Sequence, residues 1–122
     1  MNFSFSTDNG GYFVELQAKF IGNDLLVVCS GGDKPHIGAV AVAHPRPSLD
    51  DPDQLSASAN IICLSGHRED ELARASSLKL CKQLGCTVTV VAGMHWNDID
   101  RAGIEQVIAN VESLVGQLMA AL

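Results

Sequence analysis

The sequence predicts one α+β domain, built from a single mixed, mostly antiparallel sheet of about six strands with two helices packed on one face. Three observations lead to this fold class. Alternating or wholly apolar strand-like segments fill most of the chain, a helix-like pattern interrupts them at 68–85, and the last twenty residues carry a clear helical apolar stripe. The length of 122 residues suits a single hydrophobic core, so we expect one domain over 1–122.

The first half of the chain predicts three antiparallel strands in succession. "YFVELQAKF" (12–20) alternates between apolar and polar residues, which is typical of a strand with one solvated face. "NGG" at 9–11 is a hairpin turn signal that joins it to an earlier strand near 3–6. "IGND" at 21–24 is a second turn, leading into the next strand.

Three further segments are apolar on both faces, which predicts central strands. They are "LLVVC" (25–29), "IGAVAVA" (37–43) and "IICL" (61–64). The intervening "HPRPSLDDPDQLSAS" (44–58) is rich in Pro, Asp and Ser and indicates a surface loop.

The C-terminal part predicts helix, strand, helix. Acidic residues open the segment 68–85 and Gly85 is a typical helix stop, while "TVTVVAG" (87–93) is β-branched. The step from 61–64 to 87–93 is the one predicted parallel crossover. Asp98 or Asp100 caps the last helix, whose apolar stripe comprises Ile104, Val107, Ile108, Val111, Leu114, Val115 and Leu118.

This arrangement leaves one face of the sheet without a cover. Six strands make a sheet roughly 25 Å wide, and two helices cover about 20 Å of one face. Because the central strands are apolar on the other face as well, a second copy of the chain is the simplest cover, and we expect a homo-oligomer, most simply a dimer.

Composition narrows the class of protein further. The net charge of −6 and the scattered basic residues argue against a nucleic-acid surface. The N-terminus lacks the pattern of a signal peptide and no apolar run approaches the roughly 20 residues of a membrane span, so we expect a cytoplasmic location and no membrane contact. The four cysteines form no C-x-x-C pair, which favours buried, reduced thiols.

Polar residues follow glycine at the ends of three apolar strands. The three loops are "GGDKPHIG" (31–38), "GHRED" (66–70) and "GMHWNDID" (93–100), and each contains a histidine. If the strands before the second and third loops are parallel, all three loops can meet at one edge of the sheet, where ligands commonly bind.

Each loop has a structural and a functional interpretation. In the first, Asp33, Lys34 and His36 offer an acceptor, a cation and a titratable donor, although the loop is equally typical of a polar hairpin turn. In the second, Arg68 and the first amides of a helix can hold an anion, but the acidic residues that follow are typical of capping. In the third, Trp96 either stacks on a planar ligand or packs beside a cap made by its neighbours.

The predicted site is therefore a ligand-binding one without catalytic residues. No serine or cysteine lies in a glycine-flanked elbow, and the histidines show no H-x-H or H-x-x-x-H spacing, so we expect neither covalent catalysis nor a metal. The predicted ligand-binding residues are Gly32, Asp33, Lys34, His36, His67, Arg68, His95, Trp96 and Asn97.

Taken together, "GGDKPHIGAVAVA", "GHRED" and "VTVVAGMHWNDI" resemble the LpdD-like family from Tyr12 to Leu118. This family is prenylated-flavin-chaperone-like and takes its name from an accessory protein associated with gallate decarboxylase. Its fold is similar to small proteasome-assembly-chaperone-like domains. The positions that match are Gly32, Asp33, Pro35, His36, Gly38, Gly66, His67, Gly93 and His95.

The resemblance implies a non-catalytic accessory role for a UbiD-type decarboxylase that uses prenylated FMN. The chain would then bind prenylated FMN or FMN, or the enzyme itself, through loops 31–38, 66–70 and 93–98. Two alternatives stay open. One is a small enzyme with a loop histidine as general base and Asp33 as its orienter. The other is an assembly chaperone that binds protein and no small ligand.

Overall fold

The computed structural model describes residues 2–64 and 69–122 and confirms the α+β fold, with six strands in one mixed sheet and two helices. Of the three predicted loops, 66–70 is described at Glu69 and Asp70; Gly66, His67 and Arg68 lie outside the described residues. The elements are β1 (Asn2–Thr7), β2 (Val14–Ile21), β3 (Asp24–Gly32), β4 (Ala39–Pro47), β5 (Leu55–Cys63), α1 (Asp70–Leu84), β6 (Val88–His95) and α2 (Arg101–Ala121).

The order of the strands across the sheet is β1-β2-β3-β6-β4-β5. The first three strands form the expected antiparallel succession, and β4 is antiparallel to both of its neighbours. β5 and β6 therefore run parallel, with β4 between them and α1 as the crossover, as the sequence predicted. The pairing of β6 with β3 is also parallel, and nothing in the sequence indicated it.

Both helices pack on the same face of the sheet and enclose one core. Leu16, Leu80, Leu114 and Leu118 are among its largest fully buried side chains. α2 lies over β1 and β2, whereas α1 lies over β4, β5 and β6. The buried Asn110 fastens α2 to the turn before β2, because its Nδ2 donates hydrogen bonds to the carbonyl oxygens of Asn9 (3.0 Å) and Tyr12 (2.8 Å).

The opposite face of the sheet, called the open face below, carries no helix in the described part of the chain. Strand register aligns Val28, Val91, Val40 and Ile62 in one row across this face. Val28 is 36% exposed and Ile62 is 68% exposed. The sequence-based expectation of an uncovered apolar face is therefore confirmed.

Two expectations about β4 and β5 are wrong. The predicted loop 44–58 shrinks to 48–54, because β4 continues to Pro47 and pairs with β5 from Leu55 onward. Proline is tolerated there since β4 pairs with β6 only over 39–43 and has a neighbour on one side beyond that. In addition, β5 is an edge strand and not a central one, which leaves Ile61 and Ile62 exposed.

The stripe of α2 is buried only in part. Asp100 is the N-cap, with its Oδ1 accepting a hydrogen bond from the Gly103 amide at 2.7 Å. Val107, and most of the stripe after it, is buried, but Ile104 and Ile108 are 46% and 37% exposed. The two helices cover different strands, so the side of α2 that faces α1 is incompletely packed.

The sequence favoured buried, reduced thiols, but the four cysteines differ in their exposure. None of the four cysteines forms a disulfide; Cys29 and Cys81 are buried, whereas Cys63 at the end of the edge strand is exposed. In the described residues, neither helix is long and apolar enough to cross a bilayer.

Candidate functional site

The loop at 33–38 crosses over the end of β6, because β6 lies between the two strands that the loop joins. Its backbone is bonded to that strand along its length. The amides of Asp33 and Lys34 donate to the carbonyl oxygen of His95 at 2.7 and 3.4 Å, and the Gly38 amide donates to the carbonyl of Ala92 at 3.0 Å. The first and third predicted loops thus meet at one edge of the sheet, called the loop edge below.

Glycines make this crossing possible. A Cβ atom on Gly93 would collide with the carbonyl oxygen of His36 directly above it. Gly32 has a φ of +79°, and a Cβ there would meet the carbonyl oxygen of His95. At both positions the two backbones approach too closely for a side chain. At Gly32 the positive φ favours glycine as well. Gly32 and Gly93, which precede the first and third loops, are therefore a packing requirement of the crossing.

The side chain of Asp33 in the first loop also binds the backbone of the third loop. Asp33 Oδ2 accepts a hydrogen bond from the backbone amide of Asn97 at 3.2 Å. The Oδ1 atom of Asn97 lies 3.2 Å from Nε2 of His95. Asp33, His95 and Asn97 are all exposed, so these contacts order the loop edge without burying its polar groups.

A buried link between the loops involves Glu69, one of the acidic residues whose position at the start of a helix is typical of capping. Glu69 is 7% exposed and makes no capping hydrogen bond through its side chain. Its Oε1 lies 3.0 Å from Nε2 of His36 and accepts a hydrogen bond from the Met94 amide at 3.2 Å. The carboxyl group therefore connects the start of α1 to both described loops.

This contact defines the hydrogen-bonding role of His36. Its Nδ1 faces the carbonyl oxygen of Lys34 at 2.9 Å, and its Nε2 faces the Glu69 carboxyl group. A carbonyl oxygen only accepts, so Nδ1 carries a proton. Both ring nitrogens of His36 are therefore engaged within the protein.

Trp96 lies where the loop edge meets the helices. Its ring is half-buried and packs edge-to-face against Tyr12, with ring centroids 5.6 Å apart. Asp100 caps α2, so of the two predicted caps Asp98 is wrong, and the cap is not made by the residues next to Trp96. The sequence did not indicate the contact of Tyr12 with Trp96, because the two residues lie far apart along the chain.

The structure thus brings together Gly32, Asp33, Lys34, His36, His95, Trp96 and Asn97 at one edge. His67 and Arg68 were predicted to join them but fall outside the described residues. Within 2–64 and 69–122, no group of three or more His, Cys, Asp or Glu side chains is placed to hold a metal ion.

This architecture is that of a small single-sheet α+β protein whose polar loops are cross-linked at one edge. The same fold occurs in a solved structure titled "Crystal Structure of a Novel Chaperone Complex for Yeast 20S Proteasome Assembly". The two chains superpose with a TM-score of 0.59 at 12% sequence identity, over 98% of this chain and 95% of the other. At that identity the likeness concerns the fold alone.

Sequence comparison gives the family. A model described as "Prenylated flavin chaperone LpdD-like domain" matches residues 8–122, and the chain belongs to this family. A similar curated relative is "Protein LpdD" of Lactiplantibacillus plantarum (strain ATCC BAA-793 / NCIMB 8826 / WCFS1). It is 26% identical over 117 residues, which cover 96% of this chain and 82% of the relative. The family is one of chaperone-like accessory proteins.

Proposed function

We propose that this chain is a non-catalytic accessory protein of a UbiD-type decarboxylase, and that it binds prenylated FMN, FMN or the enzyme at the loop edge. The observation that carries the proposal is the long-range cross-linking of the two described loops. A turn that merely connects strands has no need of a buried carboxyl group that holds His36 and the Met94 amide together.

The state of the histidines supports a binding role over a catalytic one. A general base needs a ring nitrogen with a lone pair directed at its substrate. Both nitrogens of His36 face acceptors within the protein, and Asp33 binds the Asn97 amide instead of orienting a histidine. Among the described histidines of the loop edge, His95 alone is left as a candidate base, and its Nε2 faces Asn97.

The described residues fit part of a flavin. Trp96 offers an aromatic surface, and the exposed Asp33 and Asn97 offer hydrogen-bonding groups to the edge of a planar heterocycle. The exposed Lys34 offers a cation for the phosphate. The bound group would supply the flavin chemistry of the partner enzyme, while this chain would hold and shield it.

The open face supports a second part of the proposal, a homodimer. The row formed by Val28, Val40, Val91 and Ile62 is β-branched and partly exposed, which suits face-to-face packing of two sheets about 10 Å apart. Two copies related by a two-fold axis would bury the row and leave both loop edges accessible.

Two measurements on the parent protein test this function. Titration with FMN and with prenylated FMN, followed by flavin fluorescence, is expected to show saturable binding. Alternatively, co-purification from the native host is expected to recover a decarboxylase. A protein that binds neither flavin and recovers no decarboxylase would contradict the proposal.

The dimer has its own test. Sedimentation at micromolar concentration is expected to show twice the monomer mass for the parent and a monomer for Ile62→Lys. A well-folded parent monomer would show that the open face does not pair with itself.

A further inference from the structure

A groove of about 630 Å³ separates the N-terminal parts of the two helices on the covered side of the sheet. Both helices begin at the loop edge, and the end of β6 forms the floor of the groove at Met94. The walls are mainly apolar and include Leu72 and Ala75 from α1 and Ile104 and Ile108 from α2. None of the sequence-based interpretations assigned a role to this groove.

The groove results from small residues on α1. Ala75 and Ser76 face the space that a larger pair of side chains would fill. As a consequence, Ile104 and Ile108 stay 46% and 37% exposed although they continue the buried stripe of α2. Apolar side chains at i and i+4 that are left half-covered on a helix are an unfavourable surface unless another molecule covers them.

The charge of the lining points to one kind of occupant. The described residues that line the groove include no Lys or Arg; Glu71 and Glu112 place exposed carboxylates on opposite walls, whereas the buried carboxyl group of Glu69 already contacts His36 and the Met94 amide. Glu71 also lies 3.4 Å from Arg74, but this exposed i, i+3 pair is weak and screened by salt. An anionic ligand would be repelled, whereas an apolar surface with basic residues on both sides would be attracted.

We propose that this groove binds an amphipathic helix of a partner protein, with apolar residues at i, i+3/i+4 and i+7 and with Lys or Arg on both sides of that stripe. A third helix that lies on two others buries one such stripe, and the carboxylates of the two walls then face its basic flanks. The inference rests on the proposed accessory role, since it names the contact through which a partner protein would be held.

The sequence supplies a reporter, because Trp96 is the chain's single tryptophan and lines the groove. The probe is a synthetic 18-residue helix without tryptophan, with leucine at the stripe positions and lysine beside them. We expect a saturable change in Trp96 fluorescence with this peptide. We expect none with a scrambled peptide of the same composition, or with one that has glutamate in place of lysine.

Variants on the two sides of the sheet make the test specific. Ile108→Lys is expected to weaken binding tenfold or more, because it places a charge among the apolar side chains that the peptide would cover. Ile62→Lys, on the open face, is expected to bind the peptide as the parent does. Glu112→Lys is expected to weaken binding about threefold and to improve binding of the glutamate peptide, as for an exposed ion pair. Ile104→Lys is the second groove variant if Ile108→Lys does not fold.

Several results would overturn the proposal. Equal binding of the scrambled peptide would show attraction by charge alone. Loss of binding in Ile62→Lys but not in Ile108→Lys would move the site to the open face. A lower oligomer mass for Ile108→Lys would make the groove an interface between copies. Saturable binding of the neutral dye Nile red that the lysine peptide does not displace would indicate a small-ligand site. Because none of these readouts needs flavin or a decarboxylase, the groove can fail while the proposed function stands.

Discussion

Two connections of similar composition behave differently in this protein. The loop at 33–38 and the connection at 48–54 both combine aspartate with proline and join β-strands. The first is bonded to β6 through its backbone, and the side chain of Asp33 binds the Asn97 amide just beyond the end of that strand. The second bonds to itself: the Ser48 amide donates to the Gln54 carbonyl at 2.8 Å, and the Gln54 amide donates to the Asp51 carbonyl at 2.9 Å.

The difference comes from strand order and not from residue type. The connection at 48–54 closes a hairpin between adjacent strands, so local hydrogen bonds are sufficient. The loop at 33–38 passes over β6, which begins only at Val88, so the groups of the loop are bonded to distant parts of the chain. A polar loop held in this way presents fixed side chains, which is what a binding site requires.

The largest expected effect comes from breaking the crossing itself. In Gly93→Ala the new methyl group would collide with the His36 carbonyl and displace the loop. We expect a loss of about 3 kcal/mol in the free energy of unfolding, at the upper end for overpacking. Urea denaturation measures it. Gly116→Ala is the control: its site has open space, and a gain of about 0.5–1 kcal/mol is expected for alanine in a helix. A neutral Gly93→Ala would show that the loop adapts freely.

The next effect tests the carboxyl group that links the loops. Glu69→Leu would leave the Met94 amide without its acceptor, at a cost of about 2 kcal/mol. Glu69→Gln keeps a carbonyl oxygen for that amide and is expected to lose about half as much. Thermal or urea denaturation of both variants distinguishes the cases. Equal losses in the two would assign the effect to something other than this hydrogen bond.

A much smaller effect is expected in the second connection. Asp50→Ala removes an exposed side chain, and we expect a change within about 0.5 kcal/mol by the same denaturation assay. A loss comparable with that of Glu69→Leu would mean that 48–54 is as firmly bound to the fold as the loop edge.

The cysteines test burial in the sheet, because Cys29 is buried and Cys63 is exposed. Burial raises the pKa of Cys29 to about 12, so this thiol is expected to resist a thiol reagent at pH 8. Cys63 is exposed beside the loop edge and is expected to react first. Because the folded pKa of Cys29 lies above its ordinary value, its contribution to stability is complete below that value and is lost as the pH rises toward 12. Rapid modification of Cys29 at pH 8 would contradict its burial.

Local patterns predicted most of the fold. The alternation in β2 and the helix stop at Gly85 are local signals, and both are confirmed. The predictions that were wrong concerned which strands lie next to each other in the sheet. "IICL" was assigned to the sheet centre although β5 is an edge strand, and the prolines of β4 hid its pairing with β5.

The candidate site shows the same limit. Glycines followed by polar residues indicated the candidate loops. The direction of the neighbouring strands then indicated that these loops can share an edge. The pairing of His36 with Glu69 was missed, since acidic residues at the start of a helix are typical of capping. The exposure of Ile104 and Ile108 was missed as well, because helical periodicity gives the apolar side of α2 and not the distance to α1.

The central claim is that the loop edge binds a ligand, and Asp33→Ala tests it most directly. The side chain of Asp33 is exposed and accepts one hydrogen bond, from the Asn97 amide, so its removal is expected to lower the free energy of unfolding by about 0.5–1 kcal/mol. His36→Ala is less suitable, since it also removes the partner of a buried carboxyl group. FMN titration and urea denaturation are run on the parent, on Asp33→Ala and on the matched Asp50→Ala. We predict binding at least tenfold weaker in Asp33→Ala, or about 1.4 kcal/mol, and parent-like behaviour in Asp50→Ala. Parent-like binding by Asp33→Ala, or a loss of stability as large as its loss of binding, would contradict the account.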